Sequence, residues 1–142
     1  MTAPRVFLDA SCWVAAAGSP TGGSALIIRL ALDGHVRLAS TRVILLEAEN
    51  AIGGKLGKEA LLRFYLSLGN LDLEIIDPPT SGELSRWSAL VHAKDLHVLA
   101  GAYKASADVL VTLDRRHLLT QVVKVGFPLA VLDTTEFLES FI

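Results

Sequence analysis

The sequence predicts a single α/β domain, a sandwich in which a mostly parallel sheet is flanked by helices. Three observations carry this expectation. Short apolar runs, "RVFLD" (5–9), "DVLVTLD" (108–114) and "LAVLD" (129–133), each stop abruptly at an acid, as a buried strand does on reaching the edge of its sheet. Between such runs lie stretches with apolar residues at helical spacing, and strands alternating with helices build a parallel sheet. No repeat, low-complexity tract or linker breaks the 142 residues, a length that buries one core.

The elements follow in order. After "RVFLD", "SCWVAAA" (11–17) is compatible with a helix that stops at Gly18-Ser19-Pro20. "SPTGG" is a turn, and Ser24 is placed to cap the next helix, "ALIIRLALDG", which ends at Gly34. "VRLAS" (36–40) is a second strand. Thr41 is an N-cap for "RVILLEAENAIGGKLG", in which the Gly53-Gly54 pair is expected to end or loosen the helix. "KEALLRFYLSLGN" (58–70) is an amphipathic helix with a Gly-Asn stop. "LDLEIID" (71–77) alternates as a strand does, and Pro78-Pro79 closes it. "SGELSRWSALVHA" (81–93) reads as a helix, followed by another from Asp95 to the neighbourhood of Ser106. The strands "DVLVTLD" and "LAVLD" and a terminal helix, "TTEFLESFI", complete the chain.

Bulk composition narrows the function. The chain is 51% apolar with a net charge of −2, which excludes disorder and lacks the basic signature of a protein that grips nucleic acid by charge alone. A local groove for nucleic acid stays open, because net charge does not describe it. The one cysteine, Cys12, has no partner for an internal disulfide. With no signal-peptide pattern at the N-terminus, a cytoplasmic protein is expected. Apolar neighbours in "DASCWVAAA" make Cys12 an inert packing residue. No apolar run is long enough to cross a bilayer.

The acids carry the chemistry. Open parallel sheets bind ligands outside the carboxyl ends of their strands, and Asp9 and Asp114 directly follow strand-like runs. Asp95 opens a helix that faces the same end. Glu47 lies inside a helix among Val43, Ile44, Leu46 and Ala51, where an ionised carboxylate is costly to bury without a cation or donor. Glu49, two positions on, points to nearly the opposite face and is expected in solvent. Helix capping is the competing explanation for Asp95 and Asp114, since Asp is a favoured N-cap. It explains Asp9 less well, because Ser11 is placed to cap the same helix. Asp133 with Glu136 resembles a capping box, Asp108 a turn residue, and Asp33, Asp72 and Asp77 solvated positions beside turns.

Carboxylates without thiolates or paired histidines favour a hard cation, Mg²⁺ or Mn²⁺, over zinc; "HAKDLH" is no zinc signature. Such an ion activates water and polarises a phosphate, which points to phosphodiester hydrolysis. "SPTGGS" lacks the lysine and glycine spacing of a P-loop. "DAS" lacks the second acid of an aspartyl-phosphate phosphatase, and no elbow motif makes Ser11 a hydrolase nucleophile.

In this order, "VFLDAS", "SPTGGSALIIRLALDG", "STRVILLEAENAI" and "KDLHVLAGAYKASADVLVTLD" resemble the PIN domain, a family of metal-dependent ribonucleases that includes toxins of toxin–antitoxin pairs. The resemblance covers nearly the whole chain and implies one PIN-like three-layer sandwich over residues 1–142. It implies that Asp9, Glu47 and Asp95 bind Mg²⁺ or Mn²⁺ most directly, with Asp114 completing the pocket through water. Ser11 and Thr112 would orient a carboxylate or the attacking water. The implied activity is endonucleolytic hydrolysis of RNA, and the implied partners are an antitoxin that blocks the acidic mouth and a second copy in a homodimer. Thr135 stands where related chains often have proline, which matters little for the chemistry. Arg115, Arg116 and His117, and Lys94 beside Asp95, are placed either to meet RNA phosphates or to decorate solvated loops. Two other classes stay open: a catalytically silent PIN-like module that docks protein or RNA, and a phosphatase for small phosphoesters.

Overall fold

The computed structural model describes residues 2–141. The strands among the described residues are β1 (Arg5–Leu8), β2 (Arg37–Thr41), β3 (Glu74–Ile76), β4 (Val109–Val111) and β5 (Ala130–Leu132). The α-helices among the described residues are α1 (Ala10–Gly18), α2 (Gly23–Leu32), α3 (Arg42–Lys55), α4 (Lys58–Asn70), α5 (Ser81–Ser85), α6 (Leu96–Lys104), α7 (Gln121–Gly126) and α8 (Thr134–Phe141). A single 3₁₀ turn, Ala93–Asp95, leads into α6.

The strands lie in the order β3-β2-β1-β4-β5, and every pairing is parallel. The expected sheet is thus wholly rather than mostly parallel. Val6, Phe7 and Leu8 of β1 and all of β4 are buried. Because successive side chains alternate faces, both faces of the sheet are covered, and the three-layer sandwich follows. On one face α6 comes close: a Cβ on Gly101 would lie 2.8 Å from the Phe7 ring and 3.1 Å from the Thr41 methyl. Only glycine lets the helix sit there. On the helical side α1 packs on α2, α3 and α4, with Trp13 edge-on to Phe64 at 6.2 Å.

Chain order runs outward from β1 through β2 to β3, then restarts on the other side of β1 with β4. That reversal makes the carboxyl ends of β1 and β4 the topological switch point, where such sheets open a crevice.

Several local expectations change. Gly22, not Ser24, caps α2, and Ser24 is buried one residue inside the helix. The Gly53-Gly54 pair does not stop α3, which runs on to Lys55; the chain turns instead at Gly57, whose φ of 87° needs glycine. The helix expected over 81–93 ends at Ser85 and gives way to tight turns, with Trp87 donating to Leu84, Ser88 to Ser85 and Leu90 to Trp87. Trp87 is pulled inward against Phe127 (4.8 Å) and Tyr103 (5.2 Å), and that packing outweighs the weak helical preference of Ser, Trp and Val. Thr41 does cap α3, and Asp133 and Glu136 exchange the two hydrogen bonds of a capping box. Asp108 accepts from the Arg5 N–H at 2.7 Å, tying the starts of β1 and β4. No helix among the described residues is long and apolar enough to cross a membrane.

Candidate active site

Parallel strands all end at one edge. The helices that follow β1 and β2 begin there, and α6, which leads back into β4, begins there too. Asp9, Glu47, Asp95 and Asp114 therefore all belong to elements that start or finish at the same edge.

Asp9 is the most constrained of them. It leaves β1 in extended conformation (φ −79°, ψ 175°) and caps α1, accepting the Ser11 N–H at 2.9 Å. The cap is thus Asp9 itself, where Ser11 had been the expected alternative. The Ser11 hydroxyl also donates to Oδ1, and the Thr112 hydroxyl donates to Oδ2 at 2.7 Å. Each hydroxyl is itself anchored to the loop after β4. Ser11 Oγ accepts from Leu113 N–H, and Thr112 Oγ1 from Asp114 N–H, both at 3.0 Å. A carboxylate only 5% exposed is thereby fixed across the switch point. Burial pushes its carboxyl above the ordinary 3.8, against the opposing pull of the Ser11 and Thr112 hydrogen bonds.

Asp114 belongs to the same network. Its Oδ1 accepts from the N–H groups of Arg116 (3.1 Å) and His117 (3.0 Å), and Oδ2 lies 3.3 Å from His117 Nδ1. It thereby caps the turn that follows β4. Asp95 does not cap: its side chain makes no such bond, and its Oδ2 is buried with no hydrogen-bond partner. The capping explanation fails at this position.

Glu47 departs from expectation. Its side chain is 50% exposed and Oε1 pairs with His97 Nε2 at 2.8 Å, so it is not a carboxylate buried among apolar neighbours. Glu49 is the more enclosed of the two and accepts from the Tyr65 hydroxyl at 2.5 Å. Val43 and Leu46 are turned to solvent, which is why apolar neighbours in sequence did not bury Glu47. His97 was a partner that residue spacing gave no reason to choose. Cys12 is buried, and burial drives its thiol far above the ordinary value; it is the inert residue expected. Arg115 is tied to Asp133 at 2.8 Å, while the side chain of Arg116 is in solvent.

The donor chemistry suits Mg²⁺ or Mn²⁺. The unpartnered Asp95 oxygen and the buried Asp9 carboxyl are two groups that a cation would compensate. As the side chains stand, no three carboxylates, imidazoles or thiols among the described residues meet closely enough to grip one ion. Asp9 and Asp114 share one network, whereas Glu47 pairs with His97 outside it.

A PIN domain family model matches residues 5–116. No curated protein sequence matches the chain. The fold is that of several solved structures. PAE2754 from Pyrobaculum aerophilum is 20% identical, with 97% of this chain and 95% of that one aligned at a TM-score of 0.62. VapC20 from Mycobacterium tuberculosis, a Sarcin-Ricin loop cleaving toxin, is 17% identical over 86% and 95% of the two chains, with a TM-score of 0.55. VapBC2 from Rickettsia felis, solved bound to a DNA fragment from its promoter, is 15% identical over 91% and 98%, with a TM-score of 0.59.

Proposed function

The chain belongs to the PIN domain family, and on that premise we propose that it is a metal-dependent endoribonuclease, the toxin of a toxin–antitoxin pair. The observation that carries this reading is the seating of Asp9, a buried carboxylate at the switch point with each oxygen held by a hydroxyl anchored to the loop after β4.

Asp9, Glu47, Asp95 and Asp114 would hold Mg²⁺ or Mn²⁺. When bound, the ion supplies Lewis acidity and lowers the pKa of water. Ser11 and Thr112 keep Asp9 in one rotamer, so this carboxylate itself needs no reordering on loading. Asp114, whose Oδ1 accepts from the N–H groups of Arg116 and His117, would complete the pocket through water. Arg116, free in solvent beside it, meets the phosphate backbone of the substrate. We place this activity in the cytoplasm, where RNA and a free thiol coexist.

An antitoxin would block the acidic mouth and rest a further segment in the groove between α2 and α4, walled by Ala16, Ala25, Ile28, Leu32 and Leu66. Exposed Leu62 and Leu66 on α4 would serve either that contact or a homodimer. VapC20, which shares the fold, is a Sarcin-Ricin loop cleaving toxin, and this supports RNA as the substrate class. Purified protein incubated with a labelled RNA pool should cut with Mg²⁺ or Mn²⁺ and stop with chelator. Faster turnover of small phosphoesters than of any RNA would point to a phosphatase instead.

A second reading, a silent PIN-like docking module, is favoured by one observation: the acids do not converge as the side chains stand. Calorimetry separates the two, because a silent module binds no Mn²⁺.

A further inference from the structure

A small cleft adjoins the turn that Asp114 caps. It is walled by residues 90–92, by Arg116 and His117 of the loop after β4, and by Thr120 and Val122 at the start of α7. Both flanks lead to an acid. His92 immediately precedes the 3₁₀ turn that ends at Asp95. His117 donates its N–H to Asp114 Oδ1, and its Nδ1 lies 3.3 Å from Oδ2. We propose that this cleft is a nucleobase subsite, which takes one unstacked base of a single-stranded RNA; this rests on the RNA-substrate reading above and requires no bound ion.

Size and lining both suit a base. The cleft holds about 240 Å³, below the roughly 300–1,000 Å³ that receives a drug-sized ligand. One planar ring system fits such a space, whereas a helix about 10 Å across does not. Leu90, Val91 and Val122 supply apolar walls, and the His92 and His117 rings stand edge to face with centroids 6.2 Å apart. A base has the matching character, with an apolar face and a polar edge, and unpaired bases are read by stacking on aromatic side chains, His among them. The charge agrees. Arg116 is exposed at the same cleft, and no acid is among the described residues that line it. The phosphate attached to the base therefore meets a cation.

The walls are held from behind. A Cβ on Gly126 would lie 2.5 Å from Leu90 Cδ2, so the end of α7 presses directly on Leu90. Thr120 caps α7, accepting from the Val123 N–H at 3.2 Å. The contact with Asp114 uses Nδ1 of His117 and leaves Nε2 for a ligand. His92 differs from these. It is exposed, and its side chain makes no capping bond to the 3₁₀ turn. Local folding gives that ring no task, so truncating it should cost little stability.

The test is RNA binding by the full chain in chelator. The probes are labelled oligo(U), oligo(A) and oligo(C), with an abasic ribose-phosphate chain of the same length and charge. The proteins are the parent, His92→Ala, His92→Gln, His92→Phe and Arg116→Ala, with thermal unfolding read on each. The parent should bind at least one base-bearing oligomer more tightly than the abasic chain. His92→Ala should weaken that binding roughly fivefold or more, while its affinity for the abasic chain and its salt slope stay those of the parent. His92→Gln should match His92→Ala, and His92→Phe, which keeps a ring face, should stay within a few fold of the parent. Arg116→Ala should lose affinity for base-bearing and abasic chains alike. Parent-like binding of every base-bearing oligomer by folded His92→Ala overturns the subsite, and so does an equal loss on the abasic chain. If His92→Ala fails to fold, parent-like binding by His92→Gln overturns it instead. A parent that binds the abasic chain as tightly as the others also overturns the subsite, and leaves the nuclease standing. A parent that binds none of the chains overturns the RNA-substrate reading, and the subsite falls with it.

Discussion

The Thr112 hydroxyl donates to Asp9 Oδ2 across 2.7 Å while accepting from the Asp114 N–H at 3.0 Å. One fully buried side chain thus joins the carboxyl ends of β1 and β4 at the point where the sheet reverses its order. Thr112→Val keeps the shape and removes both bonds. It leaves a buried carboxylate oxygen and a backbone N–H unpaired, which should lower stability by about 1–3 kcal/mol. Cleavage should fall by roughly tenfold or more through the loosened acid. Chemical denaturation and initial cleavage rates check the two parts.

Asp9 is expected to oppose folding when no metal is bound. Burial raises its folded-state pKa above the unfolded 3.8, so as pH rises the unfolded chain ionises first. The stability that Asp9 contributes is fully present below the unfolded pKa and is lost as pH rises through the folded one. Asp9→Asn should therefore match the parent in acid and exceed it at neutral pH by a few degrees of Tm, while losing cleavage. Melting curves of the metal-free proteins across that window read the difference directly.

Gly101 is required by the approach of α6 to the sheet. Gly101→Ala would put a methyl 2.8 Å from the Phe7 ring, which is completely enclosed. The helix must move, at a loss of about 1–3 kcal/mol, and Asp95 and His97 move with it. Mn²⁺ affinity should fall along with the unfolding midpoint.

Arg115 and Arg116 should differ. The Arg115 guanidinium is engaged by Asp133, whose carboxyl is held below its ordinary range by the Glu136 backbone N–H and then by Arg115. With Arg115 74% exposed, Arg115→Ala should change stability by less than about 1 kcal/mol and leave RNA affinity nearly unchanged. Arg116→Ala should weaken RNA binding across sequences and lower the salt slope by about one. Filter binding at several salt concentrations tests both.

The sheet was legible because its strands are apolar runs that stop at acids, and because strand and helix alternate without a break. Asp9 and Asp114 were legible for the same reason: a carboxylate directly after a buried strand falls at the sheet's edge whatever else it does. Asp95 was ambiguous in the sequence, where capping accounted for it, and only the absence of a capping bond beside a buried, unpaired oxygen separates the readings. The burial of Glu47 was misjudged because apolar neighbours cover a carboxylate only when they face the core themselves; Val43 and Leu46 share its exposed face. The turns after Ser85 and the His97–Glu47 bond depend on where Trp87 and α6 pack, which local pattern does not encode.

The proposed activity is RNA cleavage at one metal-binding site seated on Asp9 and Asp114. The most direct measurement is cleavage of a labelled single-stranded RNA pool by the parent, Asp9→Asn and Asp114→Asn, each with Mg²⁺, Mn²⁺ and chelator. The expected result is metal-dependent cutting by the parent that both variants lose while remaining folded. Cutting at the parent rate by folded Asp9→Asn, or cutting that persists in chelator, would contradict it.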